Sequence, residues 1–188
     1  MLKSTFEWRE RAPLHFLARA ENAKFCAYTL FHITEETRQN LKNEARYCGT
    51  TDIGLYEGYL REACLSVELI LKAIIALRIE IENSDFGIPK NHIIPKLWAE
   101  AKLPKLDKPD QLRLRIFQEI LEWSGRYATP KTEEKFLKDL EETRPPPVNP
   151  DGDHKMYEPI SLGWEHYDRI YCIAQRHFNE MQLQKGYF

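Results

Sequence analysis

The sequence predicts an all-α protein, a mainly antiparallel bundle of five to seven helices around one central apolar helix. Three observations predict it. Apolar residues recur at alternating spacings of three and four in several separate segments, the repeat of one helix face. The run over residues 59–81 is apolar on nearly all sides, so it needs neighbours on several faces. No segment alternates apolar and polar residues over the length of a strand. At 188 residues the chain is read as a single domain, 1–188. A chain of that size buries roughly 70% of the surface it exposes when unfolded, enough for a core without metals or disulfides.

The first helix begins after Ala12-Pro13, where proline suits a first turn, and carries the stripe Phe16, Ala20, Ala23, Ala27, Leu30 and Thr34. Thr34-Glu35-Glu36 either restarts a second helix or continues the first toward Tyr47. Residues 48–54 hold the glycines and short polar residues of a turn. From about residue 55 to 82, Leu60, Ala63, Val67, Ile70, Ile74, Leu77 and Ile81 form one stripe. Leu65, Leu69, Leu71, Ala73, Ile75 and Ala76 fill the other sides. The break at Asn83-Ser-Asp-Phe-Gly87 is sealed by Pro89, and a short helix over about 93–102 tolerates Pro95 only in its first turn.

Leu112, Ile116, Ile120, Trp123 and Tyr127 define a further helix, closed by Gly125 and Pro130. Thr132 can cap a small amphipathic helix over residues 132–140. The proline run of 144–152 makes a stiff, extended loop, and 154–160 reads as loop as well. Ser161 can cap a last helix, about 161–183, whose stripe is Trp164, Tyr167, Tyr171, Ala174, Phe178 and Met181. Short connections favour antiparallel neighbours.

A formal net charge of −2 argues against coating nucleic acid by bulk electrostatics, although a local basic patch stays open. Cys26, Cys48, Cys64 and Cys172 show no metal-ligand spacing and read as small buried hydrophobes. The opening residues carry charges where a signal peptide needs an apolar run, and no apolar stretch reaches the length of a membrane span. The expected setting is the cytoplasm, with no membrane partner and reduced thiols.

Four features carry candidate chemistry. Glu68 and Lys72 stand one turn apart in the apolar helix, a structural pair or part of a binding site. Asn91-His92 precedes a helix N-terminus, where an imidazole can help to hold phosphate or the pair can merely cap the helix. Trp123-Ser-Gly-Arg126-Tyr127 places an arginine between aromatics, suited to a phosphate and a stacked base, or to the helix dipole alone. Glu119 with Glu122, and Glu165 with Asp168, are carboxylate pairs of the kind that hold magnesium between helices, or simply solvated faces. No glycine-rich phosphate loop, GxSxG elbow or HExxH is present, and the six histidines have no recognisable ligand spacing. Neither a metal nor a cofactor is expected.

Leu60-Arg-Glu-Ala-Cys-Leu-Ser-Val-Glu68-Leu-Ile-Leu-Lys72-Ala73 resembles the central helix of HEPN domains, the nucleotide-binding helical bundles of higher eukaryotes and prokaryotes. Asn91-His-Ile-Ile-Pro-Lys-Leu97 is similar to the Gly-His-Asp-Leu type of segment that often follows it, and Trp123-Ser-Gly-Arg-Tyr127 to a Trp-x-Gly-Arg-Tyr element of some members. The likeness spans about residues 14–130, with the last helix packed on that core. Catalytic members are metal-independent ribonucleases with an Arg-x4–6-His element late in the bundle. Here the only formal match is Arg9-x5-His15, interrupted by Pro13, while His177 directly follows Arg176.

The resemblance therefore implies a non-catalytic, commonly dimeric module that binds nucleotide, RNA or a protein partner in defence or toxin–antitoxin regulation. Enzymatic activity stays open, as a metal-independent ribonuclease or a magnesium-dependent nucleotide hydrolase, and so does a structural protein without a small ligand. Glu68, Lys72, His92, Arg126 and Tyr127 are the expected ligand-binding residues, with His92 and Arg126 on phosphate and Glu68 orienting Lys72 or the arginine. The aromatic last helix and the all-round apolar central one predict a homodimer, because a single bundle is not expected to cover both.

Overall fold

The computed structural model describes residues 9, 11–84, 86–124, 132–145, 147–148, 157 and 159–186. Seven α-helices are present among them: α1 (Pro13–Phe31), α2 (Glu35–Glu44), α3 (Thr51–Ile81), α4 (Ile94–Glu100), α5 (Lys108–Glu119), α6 (Glu133–Glu142) and α7 (Trp164–Lys185). A π-helical turn, Ile120–Ser124, continues α5. Extended pairing among the described residues amounts to an isolated bridge between Pro147 and Tyr157. The chain is an all-α bundle.

α3 is its axis. Fourteen of its residues are buried, and between Ser66 and Leu77 every residue except Leu69 is. A helix with no wet side must be enclosed, and α1, α4, the π turn and α7 enclose it. α1 turns Ala20, Ala23 and Ala27 inward, small side chains that let two helix backbones approach closely. Gly58 completes that seam, since a Cβ there would stand 3.3 Å from a Leu30 methyl.

The direction of each helix follows from its contacts. The Phe31 ring meets that of Tyr59, and Tyr28 meets Trp164, so α1 runs antiparallel to both α3 and α7. α3 and α7 run the same way: the Tyr59 hydroxyl donates to the Leu162 carbonyl at 2.8 Å near one end, and Lys185 pairs with Glu80 at the other. The long excursion through α4, α5 and α6 lets two parallel helices lie side by side.

Several boundaries differ from the sequence expectation. α3 starts at Thr51, so the turn expected over 48–54 ends earlier. Gly54 serves in the first turn of α3 because the Tyr47 ring lies over it and over Gly49, where a Cβ would come within 2.4 Å of the hydroxyl. The choice left open at Thr34 resolves to a new helix, with the Thr34 hydroxyl accepting from the Thr37 amide. Thr132 caps α6 in the same way, through the Lys135 amide. Ser161 does not cap the last helix. That place belongs to Gly163, whose amide donates to the Ser161 hydroxyl.

Of the cysteines only Cys64 is buried. Cys26 and Cys48 are exposed and Cys172 is intermediate, which corrects their reading as core residues. Cys26 follows the helical phase of α1 outward, beside Phe25, away from the alanine face. The apolar face of α6 (Phe136, Leu137 and Leu140) remains exposed among the described residues. The aromatic stripe of α7 does not: Tyr167, Tyr171 and Phe178 are fully buried within this one chain.

Because Ile74 is fully enclosed, Ile74→Ala is expected to cost about 2–5 kcal/mol through lost burial and the cavity left behind. Urea unfolding followed by circular dichroism measures it.

Candidate functional site

Among the apolar residues of α3 lie two charged ones, Glu68 and Lys72, 3% and 8% exposed. Their positions one turn apart bring the Lys72 ammonium to 2.6 Å from Glu68 Oε1. The second carboxylate oxygen is met from outside the helix. After α3 the chain turns back, and His92, two residues before α4, reaches Glu68 Oε2 through Nδ1 at 2.9 Å. A desolvated carboxylate is costly unless its oxygens are occupied. Here each oxygen has a partner.

The approach of His92 is fixed locally. The Asn91 side-chain oxygen accepts from the Ile93 amide at 3.1 Å, an Asx turn that shapes the chain just before α4. Pro95 sits in the first turn of that helix, and Ile94, Leu97 and Trp98 bury it against the core. The Trp98 indole N–H is satisfied by the Pro104 carbonyl at 2.9 Å. The histidine therefore sits on a braced loop end.

The three side chains grade from dry to wet. Glu68 and Lys72 side chains are 4% and 10% exposed, whereas that of His92 is 44% exposed. A carboxylate only accepts, so His92 Nδ1 donates to Glu68 and Nε2 is left facing outward. In a neutral imidazole Nε2 is an acceptor that can take a proton; in the imidazolium it is a donor suited to an anionic oxygen. Lys72, one turn further along the same helix, balances the Glu68 charge and is itself nearly buried.

The sequence expectation thus brings together Glu68, Lys72 and His92, with Glu68 holding the lysine and the histidine at once. Arg126 and Tyr127 lie outside the described residues. The two carboxylate pairs are engaged separately. Glu122 takes the Lys135 ammonium at 2.5 Å, and Asp168 takes that of Lys24 at 2.7 Å. Among the described residues no three His, Cys, Asp or Glu side chains gather as a metal site. Burial, then the neighbouring Asp139, push the Glu119 carboxyl above its ordinary value of 4.5, against the opposing pull of Lys135 and the Thr143 hydroxyl.

One polar cluster escaped the sequence reading. Asp110, 3% exposed, holds Arg113 at 2.8 Å and Arg169 of α7 at 2.7 Å, while Arg113 Nε donates to the Ser161 carbonyl at 2.9 Å. It fastens α5 to the start of α7. Asp110 and Arg113 are three residues apart and legible as a helix pair, but nothing in the sequence announces the partner 59 positions away.

Two predictions follow from these charges. Glu68→Gln leaves the Lys72 ammonium buried without a counter-charge and is expected to cost about 3–5 kcal/mol. Adding Lys72→Met should return much of that loss in a double-mutant cycle read by urea unfolding. For Glu119 the folded state binds a proton more readily than the unfolded one, so its contribution to stability falls as pH rises through the range just above 4.5. Glu119→Gln should flatten that part of the stability profile, measured by urea unfolding from about pH 4.5 to 6.5. Comparison of the chain with protein-family models, with curated proteins and with solved structures finds no match.

Proposed function

We propose that the chain is a non-catalytic, HEPN-like module that binds the phosphate of a nucleotide or an RNA end beside His92, acting in the cytoplasm in a regulatory role such as defence or toxin–antitoxin control. One observation carries this reading: the 2.9 Å bond from His92 Nδ1 to a buried carboxylate, which presents Nε2 to solvent in a fixed orientation. A histidine that served only to close the fold would have no need of a half-exposed ring. A hydrogen bond to a charged group is worth about 1.5–3 kcal/mol, so a single oriented imidazole contributes measurably to phosphate affinity. Arg126 and Tyr127 enter the proposal on their sequence alone, as a second phosphate contact and a stacking surface.

The same dyad supports a second reading. A carboxylate that orients a histidine is also the arrangement of a general base, which would suit a metal-independent ribonuclease. Against it stands the N-terminal position of Arg9 and His15, remote in sequence from His92 and separated by the start of α1.

The homodimer is retained as part of the proposal, on different ground. α7 and α3 are covered within one chain, so the surface that fits a second copy is the outer side of α1, where Phe25 is 71% and Leu14 55% exposed.

Titration with adenosine monophosphate and with a 5′-phosphorylated RNA oligonucleotide tests the reading. His92→Ala and Arg126→Ala are each expected to weaken binding roughly tenfold, about 1.4 kcal/mol. Unchanged affinity in both variants would remove the site. RNA cleavage in EDTA that His92→Ala abolishes would favour the ribonuclease. Light scattering on the same samples reads the dimer.

A further inference from the structure

In the Glu68–His92 bond, Nδ1 carries the hydrogen and donates at 2.9 Å to a carboxylate side chain only 4% exposed. The tautomer is thereby set, and the lone pair of the neutral ring lies on Nε2. The ring is 44% exposed, and the turn between Asn91 and Ile93 pins the backbone that carries it. A nucleophile needs an available lone pair, a fixed direction and access. His92 has all three.

The carboxylate supplies a further element. When Nε2 forms a new bond the ring becomes cationic, and the charge is shared with Nδ1–H. That N–H already points at Glu68, so the charge develops against an anion that water scarcely reaches. Before reaction, Lys72 at 2.6 Å balances the same carboxylate. Two other histidines lack the combination. His32 bonds Nδ1 to the Tyr28 carbonyl at 3.0 Å, which sets the same tautomer without a charge. His166 turns Nε2 toward Glu165 at 3.4 Å, and its Nδ1 is buried without a hydrogen-bond partner.

We propose that His92 is a phosphoryl acceptor, modified on Nε2 by a donor of phosphoramidate type, with its phosphorus bonded to nitrogen. The Nε2 lone pair attacks phosphorus and a new P–N bond forms. The donor P–N bond breaks, and its electron pair leaves on the donor nitrogen. From protonated phosphoramidate the leaving group is ammonia, which takes no proton from the protein. The dyad has none to give, because its one hydrogen is held by Glu68. One P–N bond replaces another of the same kind, so the transfer needs no other energy source. The product presents about two negative charges at the surface, on a ring whose positive charge faces Glu68. The proposal rests on the same orientation of Nε2 as the phosphate-binding reading, but it requires a covalent product and no nucleotide.

Potassium phosphoramidate is the probe, applied to the whole native chain. Site-resolved mass spectrometry under alkaline conditions that preserve phosphohistidine reads the product, and phosphorus magnetic resonance places it on Nε2 or Nδ1. His92 is expected to be labelled roughly tenfold faster than His32 and than free N-acetylhistidine. In concentrated urea both histidines should react at the rate of N-acetylhistidine. Glu68→Gln alone strands the Lys72 ammonium, so it is combined with Lys72→Met, and near-ultraviolet circular dichroism checks the fold. The glutamine oxygen can still accept from Nδ1, and without the charge the His92 rate should fall to that of His32, itself unchanged. The proposal is overturned if His92 is unlabelled, if it reacts no faster than His32, if the phosphoryl group is on Nδ1, or if the folded double variant labels His92 as before. Should the double variant not fold, the comparison of His92 with His32 in the native chain decides alone. An unlabelled His92 together with loss of adenosine monophosphate binding in His92→Ala would overturn this proposal and leave the phosphate-binding reading standing. A labelled His92 with nucleotide affinity unchanged in His92→Ala would do the reverse.

Discussion

The middle of α3 has no side that faces water, and the remaining elements are arranged to satisfy that constraint. Apolar residues there require neighbours all round, so α1 must come close, and its alanine face with Gly58 opposite Leu30 makes this possible. α7 must supply bulk on another side, and its tyrosines do so while keeping their hydroxyls bonded. Tyr167 meets Ser66 at 2.6 Å, and Tyr171 donates to Glu21 of α1 at 2.8 Å. Burial pushes both phenols well above their usual range, so they act as fixed hydrogen-bonding groups rather than as acids.

The same enclosure turns two ordinary helix-surface residues into a structural problem. On a wet face Glu68 and Lys72 would form a pair of little consequence. Inside the bundle the carboxylate needs both oxygens occupied, and the lysine four residues on can reach only one. The return of the chain after α3 supplies the other partner. This links the folding demand to the candidate chemistry: the residue that satisfies Glu68 from outside is a histidine, and its far nitrogen is left at the surface in a set orientation. An asparagine, whose amide nitrogen stands as many bonds from Cβ as the imidazole Nδ1, would meet the structural need without that consequence.

The sequence makes the fold legible because helix periodicity and capping are local. The stripes of α1, α3, α5 and α7, the caps at Thr34 and Thr132, and Pro95 in a first turn all depend on neighbours within a few positions. Where the expectation slipped, a distant group decided the outcome. Gly54 reads as a helix breaker until Tyr47 is seen over it, and Ser161 reads as a cap until the chain places Gly163 there. The aromatic stripe of α7 suggested a subunit interface because the long excursion that brings α7 beside α3 cannot be read from spacing. Glu68 and Lys72 are legible as a pair and His92 as a residue before a helix N-terminus, but no local spacing announces that His92 meets Glu68 from 24 residues away. Asp110 with Arg169 left no local trace at all.

Native-state amide hydrogen exchange along α3 tests the central constraint most directly. If the bundle is built on that helix, amides from residue 63 to 77 exchange only through global unfolding, with one common free energy equal to that from urea, while those of α2 and α6 exchange by local opening. Rapid, denaturant-independent exchange in the middle of α3 would contradict the architecture and the candidate site that rests on it.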